Sequence, residues 1–190
     1  PAITGLTNQT VVAGTATVLS PIVTGTPPPN LQWRSNSIPI IGQTNSSLTL
    51  NNVQFSQNNT VYSLCASNYV GAVTNNMTLT VIVTPGISGL NNQAVSTGSS
   101  VTVSATISGV PTPTTRWQRG GTDVLDGATG NGSTISGSAT GTLVINNAQP
   151  GDTGTYSLIS SNSAGIVTDS MTLTVSSGNF APVIIGPADQ

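Results

Sequence analysis

Apolar residues in this chain come in short alternating runs rather than in helical stripes. In Val101-Thr-Val-Ser-Ala-Thr-Ile107 every second residue is apolar. Successive strand side chains point to opposite faces, so Val101, Val103, Ala105 and Ile107 are expected to form one inward-facing row. Thr17, Leu19, Pro21 and Val23 make the corresponding row earlier in the chain. Leu48-Thr-Leu50 and Leu143-Val-Ile145 predict a further strand in each half. Met77, Leu79 and Val81, like Met171, Leu173 and Val175, predict the inward face of a last strand. Clusters of Gly, Pro and Asn punctuate the runs. Many short strands separated by turn residues predict an all-β chain built from sandwiches.

The pattern comes round twice. Residues 1–33 match 85–117 without a gap, with identities at Pro1/Pro85, Ile3/Ile87, Gly5/Gly89, Gln9/Gln93, Gly14/Gly98, Gly25/Gly109, Pro27/Pro111, Pro29/Pro113 and Trp33/Trp117. Met77-Thr-Leu-Thr-Val81 returns as Met171-Thr-Leu-Thr-Val175, and Pro182-Val-Ile-Ile-Gly186 opens a third copy. Self-similarity at a fixed period marks an array of one repeated unit. The expected division is domain 1 over 1–84, domain 2 over 85–176, and a linker plus the first strand of a third repeat over 177–190. The chain reads as a cut from a longer array. Only Ile82, Val83 and Thr84 separate Val81 from Pro85, and β-branched residues before a proline favour extended backbone, which predicts stiff coupling of the first two domains. The junction over 176–181 is longer and is expected to bend more.

Charge is nearly absent, at 4% of residues. The basic residues are Arg34, Arg116 and Arg119, and the acids are Asp123, Asp126, Asp152, Asp169 and Asp189. A net charge of −2 gives no field for steering nucleic acid, so no nucleic-acid partner is expected. No apolar run reaches the roughly 18 residues that span a bilayer. The chain has no His, Lys or Glu, so the usual general bases and Schiff-base lysines are missing. No catalytic residue, cofactor or metal site is therefore assigned, and the chain is read as non-enzymatic. Cys65, the one cysteine, has no intrachain partner and no activating histidine.

The order Gly-x-Pro-x-Pro, Trp, Leu-x-(Leu/Ile), Asp-x-Gly-x-Tyr, Asn-x-x-Gly, Leu-x-Val is carried by Gly25–Pro29 and Gly109–Pro113, Trp33 and Trp117, Leu48 and Leu143, Asp152-Thr-Gly-Thr-Tyr156, Gly71 and Gly165, and the last strands. It resembles the intermediate-set immunoglobulin-like domain, and the low-charge, Thr/Ser/Asn-rich version looks like the tandem repeats of large bacterial surface and secreted proteins. The resemblance covers almost the whole chain, twice. It implies two tandem immunoglobulin-like β-sandwiches with Trp33 and Trp117 buried and Tyr62 and Tyr156 as tyrosine corners, each tying a loop by its hydroxyl. The positions of the paired cysteines in antibody-type domains hold Pro21 and Leu64 in the first repeat, Ala105 and Leu158 in the second. Neither domain can carry the inter-sheet disulfide, so apolar packing on each Trp must replace it. Cys65, one residue past Leu64, falls on the opposite face. In the first repeat Asn58 stands at the motif's aspartate.

Between Trp and the fifth strand the second repeat is longer, and the extra residues fall within 120–141, either a mobile loop or an added hairpin at the sheet edge. Asp123, Asp126 and Asn131 in that stretch offer hard oxygen atoms of the kind Ca²⁺ takes, but their spacing fits no EF-hand loop and turn formation accounts for them. Asn-x-Ser/Thr acceptors occur at Asn8, Asn45, Asn58, Asn76 and Asn131; a chain with 18 Asn and abundant Ser and Thr meets that pattern by chance about as often. With the Trp and corner Tyr residues given to the fold, Phe55, Tyr69 and Phe180 remain; Phe55 is expected under the turn before the sixth strand, leaving Tyr69 as the one candidate contact aromatic. Pro182, Val183, Ile184 and Ile185 form a candidate assembly contact, because a lone strand satisfies its backbone only by joining a sheet edge. The expected role is an extracellular or cell-surface rod, stalk or filament subunit whose partners are neighbouring copies or further domains of the same protein. An adhesin or ligand-binding module, or an accessory region of a larger secreted enzyme, is the alternative.

Overall fold

In the computed structural model, which describes residues 1–178, every regular element is a β-strand or a single 3-10 turn. A chain rich in Val, Ile and Thr favours this outcome, since branched side chains pack well on a pleated surface. Two compact units result, the first built on residues 1–85 together with Gly109–Thr112 and Asn162–Gly165, the second on the remainder. The first repeat supplies β1 (Ala2–Thr4), β2 (Gln9–Val12), β3 (Thr17–Leu19), β4 (Ile22–Thr24), β5 (Asn30–Ser35), β6 (Ile38–Pro39), β7 (Leu48–Leu50), β8 (Val61–Asn68) and β9 (Gly71–Ser88). The second supplies β10 (Gln93–Ser96), β11 (Val101–Ser104), β12 (Thr106–Val110), β13 (Thr114–Arg119), β14 (Thr122–Asp123), β15 (Gly127–Ala128), β16 (Thr134–Ser136), β17 (Thr142–Asn146), β18 (Gly154–Asn162) and β19 (Gly165–Ser176).

In domain 1 the sheet runs β6-β5-β8-β9, with β2 adding to β9 in parallel, and the antiparallel pairs β1-β4 and β3-β7 supply the facing layer. Trp33 on β5 stands opposite Leu64 on β8, and both are fully buried with Leu19, Leu79 and Val53. Domain 2 repeats the plan as β14-β13-β18-β19-β10 against β15-β16-β17-β11. There Trp117 stands opposite Leu158, again fully buried with Leu143 and Leu173. Each indole N–H finds an acceptor that lets the ring stay inside: Trp33 Nε1 donates to Asn45 O at 3.0 Å and Trp117 Nε1 to Thr140 O at 2.9 Å. Pro21 is buried and Ala105 half-buried at the two remaining disulfide positions, so each core is closed by apolar contact.

The alternating run 101–107 is not one strand. It breaks at Ala105, whose N–H donates to Gly141 O at 2.8 Å, because the chain there changes partner from β17 to β9. Val101 and Val103 are buried before the switch, whereas Ile107 after it is only half-buried. β12 lies close enough to β9 that a Cβ on Gly86 would come within 2.6 Å of Ser108 Oγ, which accounts for glycine at that point. The extra residues of the second repeat form the hairpin β15-β16, and β16 pairs with β17, widening that layer.

Candidate functional site

Three groups of side chains stand apart from the cores. The first is the tip between β8 and β9. Asn68 Oδ1 accepts the Val70 N–H at 3.0 Å, closing the turn, while its Nδ2 donates to Pro27 O at 2.8 Å. Asn162 does the same in domain 2, bonding Ala164 N and Pro111 O, each at 2.8 Å. The peptide bonds before Pro27 and Pro111 are both cis. The Asn-x-x-Gly and Gly-x-Pro-x-Pro motifs are thus two ends of one contact, a link that neither motif announces in sequence. On the tip, Tyr69 is 87% exposed and Val70 66%. Domain 2 has Ser163 and Ala164 there, so the aromatic tip belongs to domain 1 alone.

The second group surrounds Asp152. Its carboxylate is wholly buried, with Oδ2 accepting the Gln149 N–H at 2.8 Å and Oδ1 accepting Asn131 Nδ2 at 2.7 Å and Ser133 Oγ at 3.0 Å. Tyr156 Oη donates to the Asp152 carbonyl at 3.0 Å, a tyrosine-corner bond. Burial pushes the Tyr156 phenol above its ordinary value, Arg119 opposes it, and the nearby Asp152 carboxylate adds a smaller upward push. Arg119 lies 5.7 Å from the Tyr156 ring centroid and donates through Nη2 to Gly151 O and, at 2.9 Å, to Thr153 O. In domain 1 the corresponding residue is Gln57, not Asn58: Gln57 Oε1 accepts the Gln54 N–H at 2.8 Å, as Asp152 accepts from Gln149. One extra residue between the turn and β8 displaces Asn58, whose Oδ1 instead accepts the Val81 N–H at 2.8 Å. Tyr62 accordingly lacks the backbone corner; its hydroxyl accepts Gln57 Nε2 at 3.1 Å.

The third group lies by the added hairpin, where an open depression of about 340 Å³ is bounded by Arg119, Val124, Leu125 and Ile135. Asp123 there pairs with Gln118 Nε2 at 2.7 Å and Arg116 Nε at 3.4 Å. Asp126 Oδ1 accepts the Ser138 N–H at 2.8 Å, and that bond holds its carboxyl below the usual range. Asn131 is committed to Asp152. The three oxygen-bearing residues of this stretch are therefore directed to different partners, and no cluster of three or more Asp, Glu, His or Cys occurs among the described residues. Phe55 does not lie under its turn: it starts the 3-10 turn Phe55–Gln57, which has no buried residue, and is itself 45% exposed. Cys65 is half-buried on the face opposite Leu64. Pro182, Val183, Ile184 and Ile185, with Phe180, lie outside the described residues.

Residues 2–81 and 87–175 each match the Immunoglobulin I-set domain family. Mouse Hemicentin-1 is 31% identical over 181 residues, covering 92% of this chain and 3% of that protein; human Hemicentin-1 is 29% identical over 193 residues, covering 95% and 3%. The chain thus spans a small fraction of the curated relatives it matches. Among solved structures, the Sidekick-1 immunoglobulin domains 1–4 superpose with a TM-score of 0.72 at 21% identity, covering 92% of this chain and 48% of that one. Extracellular domains 3–5 of Drosophila OTK give 0.68 at 24% identity, covering 90% and 60%. These likenesses show the fold. The narrower resemblance to bacterial surface arrays is corrected by the mouse and human relatives, which are animal proteins. The chain belongs to the immunoglobulin I-set family, as a tandem of two such domains.

Proposed function

We propose that this tandem is a non-enzymatic module of an extracellular or cell-surface protein, and that its work is to space and connect other domains of an array. The observation that carries the reading is the tandem itself: two I-set domains in succession, aligned over 92% of the chain with a segment of a far longer relative. The surface supports it. Polar groups near the tip, around Asp152 and by the added hairpin bond within the domain, and the charged side chains Arg116, Arg119, Asp123 and Asp152 are all engaged locally. The OTK segment of like fold is described as extracellular.

A second reading, adhesion, has one observation in its favour. Tyr69 and Val70 form an exposed apolar tip, and tyrosine is enriched where proteins meet. Hemolin, whose fold this chain shares at 20% identity, is described with implications for homophilic adhesion. Two measurements separate the readings. Antibody labelling of intact cells that make the full-length protein should find these domains outside; labelling only after permeabilisation overturns the extracellular assignment. Beads coated with the 190-residue chain should stay dispersed if it is a spacer. Aggregation that Tyr69→Ser abolishes would replace spacing with adhesion.

A further inference from the structure

Five Asn-x-Ser/Thr sequences occur along the chain, and the fold treats them unequally. An N-linked sugar needs an asparagine Nδ2 that opens to solvent in the finished domain and is not committed to the fold. We propose that Asn8, Asn45 and Asn76, all in domain 1, carry N-linked oligosaccharides and that domain 2 carries none. The proposal rests on the extracellular reading, since it requires passage through a glycosylating secretory route.

The three residues are exposed, and Nδ2 of none of them donates a hydrogen bond among the described residues. Asn45 precedes β7; its backbone carbonyl receives the Trp33 indole, which fixes the loop while the side chain stays free. Asn76 on β9 points away from the core that its neighbour Met77 enters, so a sugar there leaves the sheet directly. Asn8 Oδ1 accepts the Thr78 N–H at 2.8 Å, a bond that a sugar on Nδ2 leaves in place.

Domain 2 has the same three places without the acceptor. Asn92 takes the Thr172 N–H at 2.8 Å, as Asn8 takes that of Thr78, but it is followed by Gln93 and Ala94, with no hydroxyl. Thr140 receives the Trp117 indole where Asn45 receives that of Trp33. Ser170 precedes Met171 where Asn76 precedes Met77.

In the two other acceptor sequences the asparagine or the hydroxyl residue is less open to solvent. Asn131 Nδ2 donates to the buried Asp152 carboxylate and sits against Gly151, where even an added Cβ would approach it to 3.1 Å. Ser133, which supplies the hydroxyl of its own sequence, is 1% exposed. Asn58 is set apart by burial alone: it is half-buried where Asn8, Asn45 and Asn76 are exposed, and its Oδ1 bond to the Val81 N–H is of the kind Asn8 makes and would not itself exclude a sugar. A chain with sugar at Asn131 cannot close the Asp152 contact and would not complete folding for secretion.

In the transfer, a bond forms between Nδ2 and the anomeric carbon of an oligosaccharide carried on a lipid diphosphate. The anomeric C–O bond to the diphosphate breaks, the diphosphate leaves, and the amide gives up one proton; nothing is oxidised or reduced. The test is to secrete the 190-residue chain from animal cells behind an added leader and map it by mass spectrometry before and after peptide N-glycosidase, which converts each sugar-bearing Asn to Asp. Conversion is expected at Asn8, Asn45 and Asn76, with one glycan mass lost in each of Asn8→Gln, Asn45→Gln and Asn76→Gln. A secreted chain with no glycosidase-sensitive mass, or with sugar on Asn58 or Asn131, overturns the proposal. The leader forces entry, so these outcomes judge the sites themselves, whereas labelling of the natural protein on intact cells judges the extracellular reading separately.

Discussion

Tyr156 and Tyr62 occupy the same point of two repeats yet are held by different bonds. Tyr156 Oη donates to the Asp152 backbone carbonyl, while the Tyr62 oxygen accepts from a glutamine side chain. The difference has a consequence in base. The folded state raises the Tyr156 pKa, chiefly by burying the phenol, so it favours the neutral form. The stability this contributes is complete below the unfolded phenol's pKa of about 10 and is lost as pH rises through the higher folded value. The resistance of domain 2 to urea should therefore fall as pH is taken from about 9 to above 10. Tyr156→Phe should cost about 1 kcal/mol at neutral pH through the lost hydrogen bond, and should flatten that alkaline decline. A wild-type domain 2 whose urea midpoint is level across this range, or a Tyr156→Phe protein that declines as steeply, would count against the account.

At the scale of elements, the added hairpin has a structural task. It brings Asn131 and Ser133 to the Asp152 carboxylate, which would otherwise be buried with only the Gln149 N–H. Domain 1, lacking the hairpin, places neutral Gln57 there and needs no such support. Asn131→Ala should cost about 1–3 kcal/mol, because a buried ionised acceptor loses a donor. In the double variant with Asp152→Ala the cost should fall short of the sum, with a coupling of about 0.5–3 kcal/mol. Additive losses in the cycle would mean the hairpin and the turn stabilise the domain independently. The strands and both Trp-centred cores were legible in sequence because alternation and repeat identity report burial directly. What was not legible depends on register and on contacts distant along the chain. A one-residue offset hid Gln57 behind Asn58. The partner change at Ala105 leaves no trace in the alternation of 101–107. The bonds from Asn68 to Pro27 and from Asn131 to Asp152 join segments that carry no mutual signal in a single sequence.

Across the whole molecule the balance of forces is set by how little charge there is. The side chains of residues 1–85 carry one charge, Arg34, and the single ion pair among the described residues, Arg116 with Asp123, has both partners 56% exposed. An exposed pair of this kind contributes between nothing and about 1 kcal/mol, and salt at ~0.15 M already shortens electrostatic reach to about 8 Å. Stability then rests on two apolar cores and their backbone ladders, which simple salt barely touches. Thermal unfolding followed in sodium chloride from ~0.01 M to ~0.5 M should leave the domain 1 transition in place. The domain 2 transition should move by no more than the roughly 4–8 °C that 1 kcal/mol represents in a domain of this size. Sulfate at equal ionic strength should raise both, because it is excluded from protein surface and strengthens apolar burial. If sodium chloride alone shifts domain 1 by many degrees, interactions among charges must be holding it, and a domain with one charged side chain has almost none to offer.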